Sequence, residues 1–155
     1  MLGKVLFAID FSECCMNKVI SFLDKIQESV DEILAVHVVD EKEINTIVIN
    51  AVWIGETTRE FEDEVRAKLK NKALEEMEKV KEMLERNGFK VKTVVTEGNP
   101  AEKIAEIAEK ENVSLIVVGS HGKSNLKSVF LGSVSEGVVR LAKKPVVIVK
   151  RDATF

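Results

Sequence analysis

Residues 117–133, VVGSHGKSNLKSVFLGS, connect an apolar run to a predicted helix, and the rest of the chain can be arranged around them. The run itself, VSLIVVG at 113–119, is rich in β-branched side chains, which is typical of a buried strand. About 13 residues separate Gly119 from Ser133, whereas connections in α/β units usually span about 2 to 6 residues. Longer connections are mostly functional, so we expect this segment to form part of a binding site.

Short apolar strands alternate with amphipathic helices on both sides of this segment. Strands are predicted at 4–10, 32–40, 89–97, 113–119 and 145–150. Helices are predicted from about 13 to 28, over about 30 residues between Gly55 and Gly88, after Asn99 and Pro100, and from Ser133 to Ala142. This alternation predicts one α/β domain over residues 1–155, with a doubly wound five-stranded parallel sheet that helices cover on both faces.

Residues 44–55, INTIVINAVWIG, stand out from this alternation because they are unusually apolar. They follow the second strand, and we predict that they form a long connection. Because large exposed apolar patches are uncommon on monomers, we expect this connection to be either a lid over a ligand or a contact surface.

Ligands of doubly wound sheets bind beyond the carboxyl ends of the strands. Asp10 ends the first strand and Gly119 ends the fourth, so both are candidates for this edge. Gly119, Gly122 and Gly132 can adopt conformations closed to other residues and leave room for main-chain amides to approach an anion. The helix that begins at Gly132 and Ser133 would add free amides and the positive end of its dipole, which together favour phosphate.

Two common nucleotide-binding motifs are absent from the sequence. GKS at 122–124 matches the end of GxxxxGK[ST], but position 117 is Val where that motif requires Gly. The turn after the first strand reads DFSECC, which lacks the GxGxxG pattern of dinucleotide-binding folds. The predicted anion site is therefore neither a GxxxxGK[ST] phosphate-binding loop nor a dinucleotide-binding GxGxxG turn.

The spacing of the three glycines does match a known signature. Gly119, two residues, Gly122, nine residues, Gly132 and then Ser133 resembles the ATP-binding signature G-2x-G-9x-G-[ST] of the universal stress protein family. The blocks that also resemble this family, in the same order, are AIDFSE at 8–13, HVVD at 37–40, EGNPAEKI at 97–104 and GSVSEGVVRLAKKPVVIVKR at 132–151. The resemblance covers essentially the whole chain and is weakest over residues 41–58.

This resemblance implies an adenine-nucleotide alpha-hydrolase-like fold with strand order 3-2-1-4-5, which binds ATP or another adenine nucleotide together with Mg²⁺. By position, Asp10 would contact the ribose hydroxyls or the bound metal ion, and the main chain of Val38 would contact adenine. The residues that would hold the phosphates are Gly119, Gly122, Gly132, Ser133 and the amide of Val134. The family also implies a homodimer through the last strand, which would otherwise be a bare sheet edge.

The charge distribution supports an anionic ligand. The net charge of −3 argues against general nucleic-acid binding, but residues 119–155 carry seven Lys or Arg against two acids. Lys123 and Lys127 lie in the predicted loop and are suited to the outer phosphates. No stretch approaches the roughly 18 to 20 apolar residues that cross a bilayer, and the chain does not start like a secretory signal. We therefore expect a cytoplasmic protein that binds neither nucleic acid nor membrane.

Three functions remain open from the sequence. In the first, an ATP-binding stress-response protein acts as a nucleotide-dependent switch or sensor that an unidentified protein partner reads. In the second, an enzyme slowly hydrolyses ATP or transfers an adenylyl group, with Mg²⁺ held by phosphates and Asp10. The third, a phosphoacceptor or flavin carrier, is disfavoured because Glu97 stands where a receiver needs aspartate and the chain has no tyrosine. We expect His37 to be a core residue, and His121 to be a loop residue rather than a general base.

Overall fold

The structure is a computed structural model that describes residues 1–11, 13–53, 55, 59–120 and 132–155, without the side chains of 13–15. The strands are β1 (Gly3–Ala8), β2 (Val30–Asp40), β3 (Val91–Gly98), β4 (Leu115–Gly119) and β5 (Val146–Val149). The helices are α1 (Glu13–Lys25), α2 (Glu41–Trp53), α3 (Arg59–Arg86), α4 (Pro100–Lys110) and α5 (Ser133–Leu141), with a short 3-10 helix at Gln27–Ser29. Strands and helices alternate as predicted, with α2 as an additional helix.

The strands form a parallel sheet in the order β3-β2-β1-β4-β5. β1 lies in the centre, where Leu6 pairs with Leu34 of β2 on one side and with Ile116 of β4 on the other. The strand order reverses between β1 and β4, because the chain first builds β2 and β3 and then crosses to the far side of β1. The predicted fold class and strand order are confirmed.

Helices pack against apolar side chains on both faces of the sheet and bury them. On one face, Phe7 belongs to a core cluster with Leu23 of α1 and Leu84 of α3. On the opposite face, Leu6 belongs to a cluster with Val138 of α5. Neighbouring strand residues serve opposite faces because side chains alternate along a strand. Each large buried side chain contributes about 1.5–3 kcal/mol, so the two layers hold the strand ends in fixed positions.

Helix α2 corrects the prediction for residues 44–55, which are largely helical and not a connection. Ile44 and Ala51 are buried, and Val48 packs against the same small core cluster. Steps of three and four residues are the spacing of one helix face, and contact with α3 outweighs the weak helix preference of β-branched residues. The large apolar side chains left exposed on α2 are Ile49, Val52 and Trp53. Their role as a lid or a contact surface stays a prediction.

Helices α4 and α3, unlike α2, were predicted from the sequence. The side chain of Asn99 accepts a hydrogen bond from Glu102 N at 3.1 Å, and Pro100 follows as the first residue of α4. Such a cap stabilises a helix by about 1 kcal/mol. Helix α3 is 28 residues long, close to the predicted length, and buries one stripe while its outer face is charged. None of the helices in the described ranges is long and apolar enough to cross a membrane.

Candidate functional site

A cavity of about 260 Å³ lies beyond the carboxyl ends of β1, β2 and β4, beside the reversal of strand order. The predicted site residues that line it are Asp10, Val38, Gly119, Gly132, Ser133 and Val134. They come from four separate places in the sequence, namely the ends of β1, β2 and β4 and the start of α5, which the parallel sheet brings to one edge. The remaining predicted positions, Gly122 and Lys123, lie outside the described residues, as do Lys127 and His121.

The end of β1 forms one wall of the cavity. Ile9 N donates to Val36 O at 2.8 Å, and the next residue, Asp10, lines the cavity. His37 Nδ1 donates to Ile9 O at 2.6 Å, and the His37 ring packs on Phe11 with centroids 4.4 Å apart. His37 is half-buried and also lines the cavity, so the expectation of a core histidine is wrong. Strand β2 continues past the end of β1, so the His37 side chain lies beyond the core.

The opposite wall is built on two buried serines. Ser120 and Ser135 are each 2% exposed. Gly132 N donates to Ser120 O at 2.8 Å, and Ser135 Oγ donates to Gly132 O at 2.9 Å. Ser120 Oγ in turn accepts a hydrogen bond from Arg151 N at 3.2 Å. These contacts hold the start of α5 against the end of β4 and the C-terminal segment.

The sequence reasoning missed both serines. The signal was present, because Ser120 follows Gly119 directly and Ser135 lies in the first turn of the predicted helix. Small hydroxyl residues at such positions hydrogen-bond to nearby main chain. The contact of Ser135 with Gly132 O is local, but Ser135 Oγ also lies 3.3 Å from Ser120 O at the end of β4. That second contact depends on how the helix docks on the sheet, and the sequence pattern does not contain that information.

The two described glycines of the signature have ordinary backbone conformations. Gly132 has φ −63° and ψ 158°, and Gly119 is an extended residue of β4. Neither therefore needs a conformation closed to other residues, contrary to the sequence expectation. The second reason for glycine remains, because a position without Cβ lets a ligand approach the main chain closely. Gly132 is the N-cap of α5, whose first turn includes Ser133 and Val134.

Three carboxylates line the same cavity, those of Asp10, Asp40 and Glu43. Asp40 Oδ1 accepts a hydrogen bond from Lys42 N at 2.9 Å, which fixes the start of α2. Within the described ranges, no group of three or more His, Cys, Asp or Glu side chains is arranged to hold a metal ion. A bound Mg²⁺ would therefore need further oxygen ligands from phosphate, which is its usual mode of binding in nucleotide sites.

Comparison with known proteins shows which family the chain belongs to. The sequence model of the Universal stress protein family matches residues 1–150. The chain belongs to this family. Universal stress protein MJ0577 of Methanocaldococcus jannaschii is 40% identical over 159 residues, which cover 97% of this chain and 96% of the relative. Universal stress protein YxiE of Bacillus subtilis is 36% identical over 151 residues, covering 97% and 100%.

Solved structures of universal stress proteins share the fold. The structure of MJ0577 superposes with a TM-score of 0.83 and 39% identity, and the match covers 99% of each chain. A universal stress protein from Archaeoglobus fulgidus, solved in complex with dAMP, has a TM-score of 0.62 and 20% identity, covering 97% of this chain and 100% of that one. At that identity, the second comparison concerns the fold alone.

Proposed function

We propose that this universal stress protein binds an adenine nucleotide, ATP being the principal candidate, and acts as a nucleotide-dependent switch or sensor. The observation that carries the proposal is the convergence of six predicted residues, from four parts of the chain, on one cavity. The family's signature spacing is complete in this sequence. The dAMP complex of the Archaeoglobus fulgidus protein supports the choice of an adenine nucleotide for a cavity of this fold.

In this proposal the nucleoside lies against the ends of β1 and β2. The main chain of Val38 contacts adenine, and the carboxylate of Asp10 contacts the ribose hydroxyls. Both residues line the cavity, and Val38 is only 7% exposed, so the base would be largely removed from water. A carboxylate is well suited to two neighbouring hydroxyls because each ionised oxygen accepts hydrogen bonds.

The phosphates in this proposal lie at the start of α5. The first amides of a helix have no partner within the helix and carry the positive end of its dipole, so they favour a bound anion. Gly132, Ser133 and Val134 would supply these amides and one hydroxyl, and Gly119 would leave room opposite them. Gly122 and Lys123 belong to the same proposal through the signature alone.

Magnesium fits this arrangement as a companion of the phosphates. Asp10 lines the cavity and would supply one carboxylate oxygen, while the nucleotide would supply the others. When bound, Mg²⁺ offsets the charge of the phosphates close to the cavity carboxylates. The chain's own contribution is then to orient the nucleotide and to present the occupied site to a partner protein.

Calorimetric titration with ATP tests the proposal. We expect Gly132→Val to abolish measurable binding, because the added side chain would occupy the space in which phosphate approaches the main chain. The backbone at Gly132 suits valine, so the fold should be retained. Val139→Ala, on the half-exposed surface of α5 outside the cavity, is the matched control and should bind like the wild type.

Two results would contradict different parts of this proposal. A wild-type protein that binds no ATP, ADP or AMP would remove the function. If Gly132→Val binds ATP with wild-type affinity, the assignment of the phosphate site is wrong, while the proposed function is not contradicted. Steady multiple turnover of ATP that Asp10→Ala abolishes would replace the switch with a hydrolase.

We also propose a homodimer through β5, which is an outer strand of the sheet. The carbonyl of Pro145 accepts a hydrogen bond from Ile116 N in β4, and that of Val149 accepts one from Ser120 N just after β4. The main chain of Val146 and Ile148 therefore faces outward. Sedimentation at micromolar concentration should show a dimer. Ile148→Pro removes one outward N–H and should give a monomer, whereas Ile148→Ala removes similar packing and should stay dimeric. A monomeric wild type would contradict the proposal.

A further inference from the structure

The pairing of β1 with β2 ends abruptly beside the cavity. The two strands pair in regular parallel register up to Ala8 and Val36, and Ile9 N still donates to Val36 O at 2.8 Å. In a continued parallel ladder the next hydrogen bond would run from Val38 N to Ile9 O. The strand register contains no such pair, and Ile9 O accepts the proton of His37 Nδ1 at 2.6 Å.

A side chain of β2 therefore takes the place that the main chain of β2 would occupy. A carbonyl oxygen only accepts hydrogen bonds, so Nδ1 of His37 carries a proton and a neutral ring has its lone pair on Nε2. With Ile9 O satisfied in this way, β1 can leave the sheet without a buried carbonyl that lacks a partner. The His37 side chain is thus the group that ends the strand pairing.

The same ring supports the turn that follows. Phe11 has φ 66°, in the left-handed region that a bulky residue adopts only when its surroundings hold it there. Its ring packs on His37, with centroids 4.4 Å apart and planes tilted by 36°. Asp10 lies between Ile9 and Phe11, so both neighbours of this carboxylate residue are in contact with His37.

Ending the ladder also leaves the main chain of Val38 unpaired with β1. Val36 O faces β1, because it accepts from Ile9 N. The direction of main-chain groups repeats every second residue, so the N–H and C=O of Val38 face the same side. At that level β1 has ended and Val38 lines the cavity. An N–H and a C=O side by side complement adenine, whose ring N1 accepts and whose amino group donates. Guanine held in the same orientation would place a donor against the N–H and an acceptor against the C=O, so this edge opposes it.

We propose that His37 is a positioning residue of the nucleotide site, which selects adenine over guanine by keeping the main chain of Val38 free of β1. The inference rests on the proposed nucleotide binding. It assigns His37 no contact with the nucleotide, because the residue acts through Ile9 and Phe11. In its absence, Val38 N is the natural replacement partner for Ile9 O, and the edge that reads the base is lost.

The first test compares two variants by calorimetry with ATP and GTP. His37→Leu removes the donor, and we expect ATP affinity to fall at least about 10-fold and the preference over GTP to shrink. His37→Asn places an amide nitrogen close to the position of Nδ1, and we expect ATP affinity within about 3-fold of the wild type. Both variants lose the ring that packs on Phe11, so the difference between them measures the hydrogen bond. Equal affinities in His37→Leu and the wild type would overturn the inference.

The second test needs no nucleotide. In hydrogen exchange of the free wild-type protein, the Val38 amide should exchange at least about 10-fold faster than that of Val36, which lies in the regular ladder. In His37→Leu, the Val38 amide should become protected. Protection of Val38 equal to that of Val36 in the wild type would overturn the inference even if ATP binds. Rapid exchange at Val38 in a protein that binds no ATP would instead locate the failure in the proposed function.

Discussion

The two ends of the sheet are built in opposite ways. At the amino end, main-chain hydrogen bonds tie the strands to their neighbouring segments, from Leu2 N to Ser29 O and from Ser114 N to Lys4 O, each at 2.8 Å. The side chain of Lys4 also pairs with Glu111 at 3.2 Å. This end contains no predicted site residue, and its polar groups hydrogen-bond the strands to the segments beside them.

At the carboxyl end, one side chain replaces a main-chain contact of the ladder between β1 and β2, and another supports the start of α5. His37 takes the carbonyl of Ile9, and Ser135 donates to the carbonyl of Gly132. A cavity lies between these contacts. The difference teaches that the cavity edge forms where the main-chain ladder of β1 and β2 stops, with the side chain of His37 satisfying the carbonyl of Ile9. At the amino end, regular hydrogen bonds stabilise the fold. At the carboxyl end, regular strand pairing stops and a cavity lies in its place.

The largest effect that we expect comes from packing behind the site. A Cβ at Gly137 in α5 would lie 2.6 Å from Ala101 Cβ in α4, well inside van der Waals contact. We expect Gly137→Ala to lower the free energy of unfolding by about 1–3 kcal/mol from overpacking, partly offset by the better helix preference of alanine. Because α5 must move, ATP affinity should fall as well. Urea unfolding and calorimetry measure the two effects.

A double variant provides the control for this prediction. Ala101→Gly removes the opposing methyl group, so Gly137→Ala combined with Ala101→Gly should recover both stability and ATP affinity. The coupling between the two substitutions measures the contact directly. If the double variant is no more stable than Gly137→Ala alone, the two helices do not meet at this point.

A smaller effect is expected at the serine that holds the start of α5. Ser135→Ala leaves its carbonyl partners with fewer hydrogen bonds, and we expect a loss of about 1 kcal/mol of unfolding free energy. ATP should lose more affinity than adenosine, because the start of α5 is proposed to hold the phosphates. Ser135→Thr keeps the hydroxyl and is the matched variant. Equal losses for ATP and adenosine would mean that Ser135 only stabilises the fold.

The smallest effect is expected at the amino end. The hydrogen bond from Lys4, followed by the charge of Lys92, lowers the pKa of Glu111. The ionised form is therefore favoured in the folded state, so this contribution is present above the unfolded pKa and is lost as pH falls through the folded pKa. Glu111→Gln should be slightly less stable than the wild type at neutral pH, and the difference should disappear at an acidic pH below the folded pKa of Glu111. The urea midpoints of both proteins at the two pH values check this prediction. If the difference in stability persists in acid, the ion pair is not its cause.

ATP should bind Glu111→Gln and the wild type equally, which sharpens the contrast between the two ends. The pair is partly exposed, so its effect on the fold is small and its effect on the distant cavity should be nil. A changed affinity in this variant would show that the two ends are coupled through β1 or β4.

Local signals predicted most of the elements correctly. Asn99 and Pro100 announce a helix start that needs no information from the rest of the chain, and α4 begins there. The prediction failed at α2, because its β-branched residues have a weak helix preference and only their contact with the core and α3 reveals the helical face. The candidate site was predictable to the level of six cavity residues, since strand ends and a helix start are both visible in the pattern.

By itself, the sequence determined the α/β class, the signature spacing and the approximate positions of the strand ends, because each depends on nearby positions or on a fixed spacing. The first strand was predicted to end at Asp10, and β1 ends at Ala8. The tertiary structure alone decided which groups meet across the sheet. His37 reaches Ile9 O, Ser135 reaches Ser120 O, and Gly137 faces Ala101. Each contact joins two separate segments whose relative placement no local pattern encodes. The physical reason is that hydrogen bonds and close packing act over a few ångströms in space, whatever the separation along the chain.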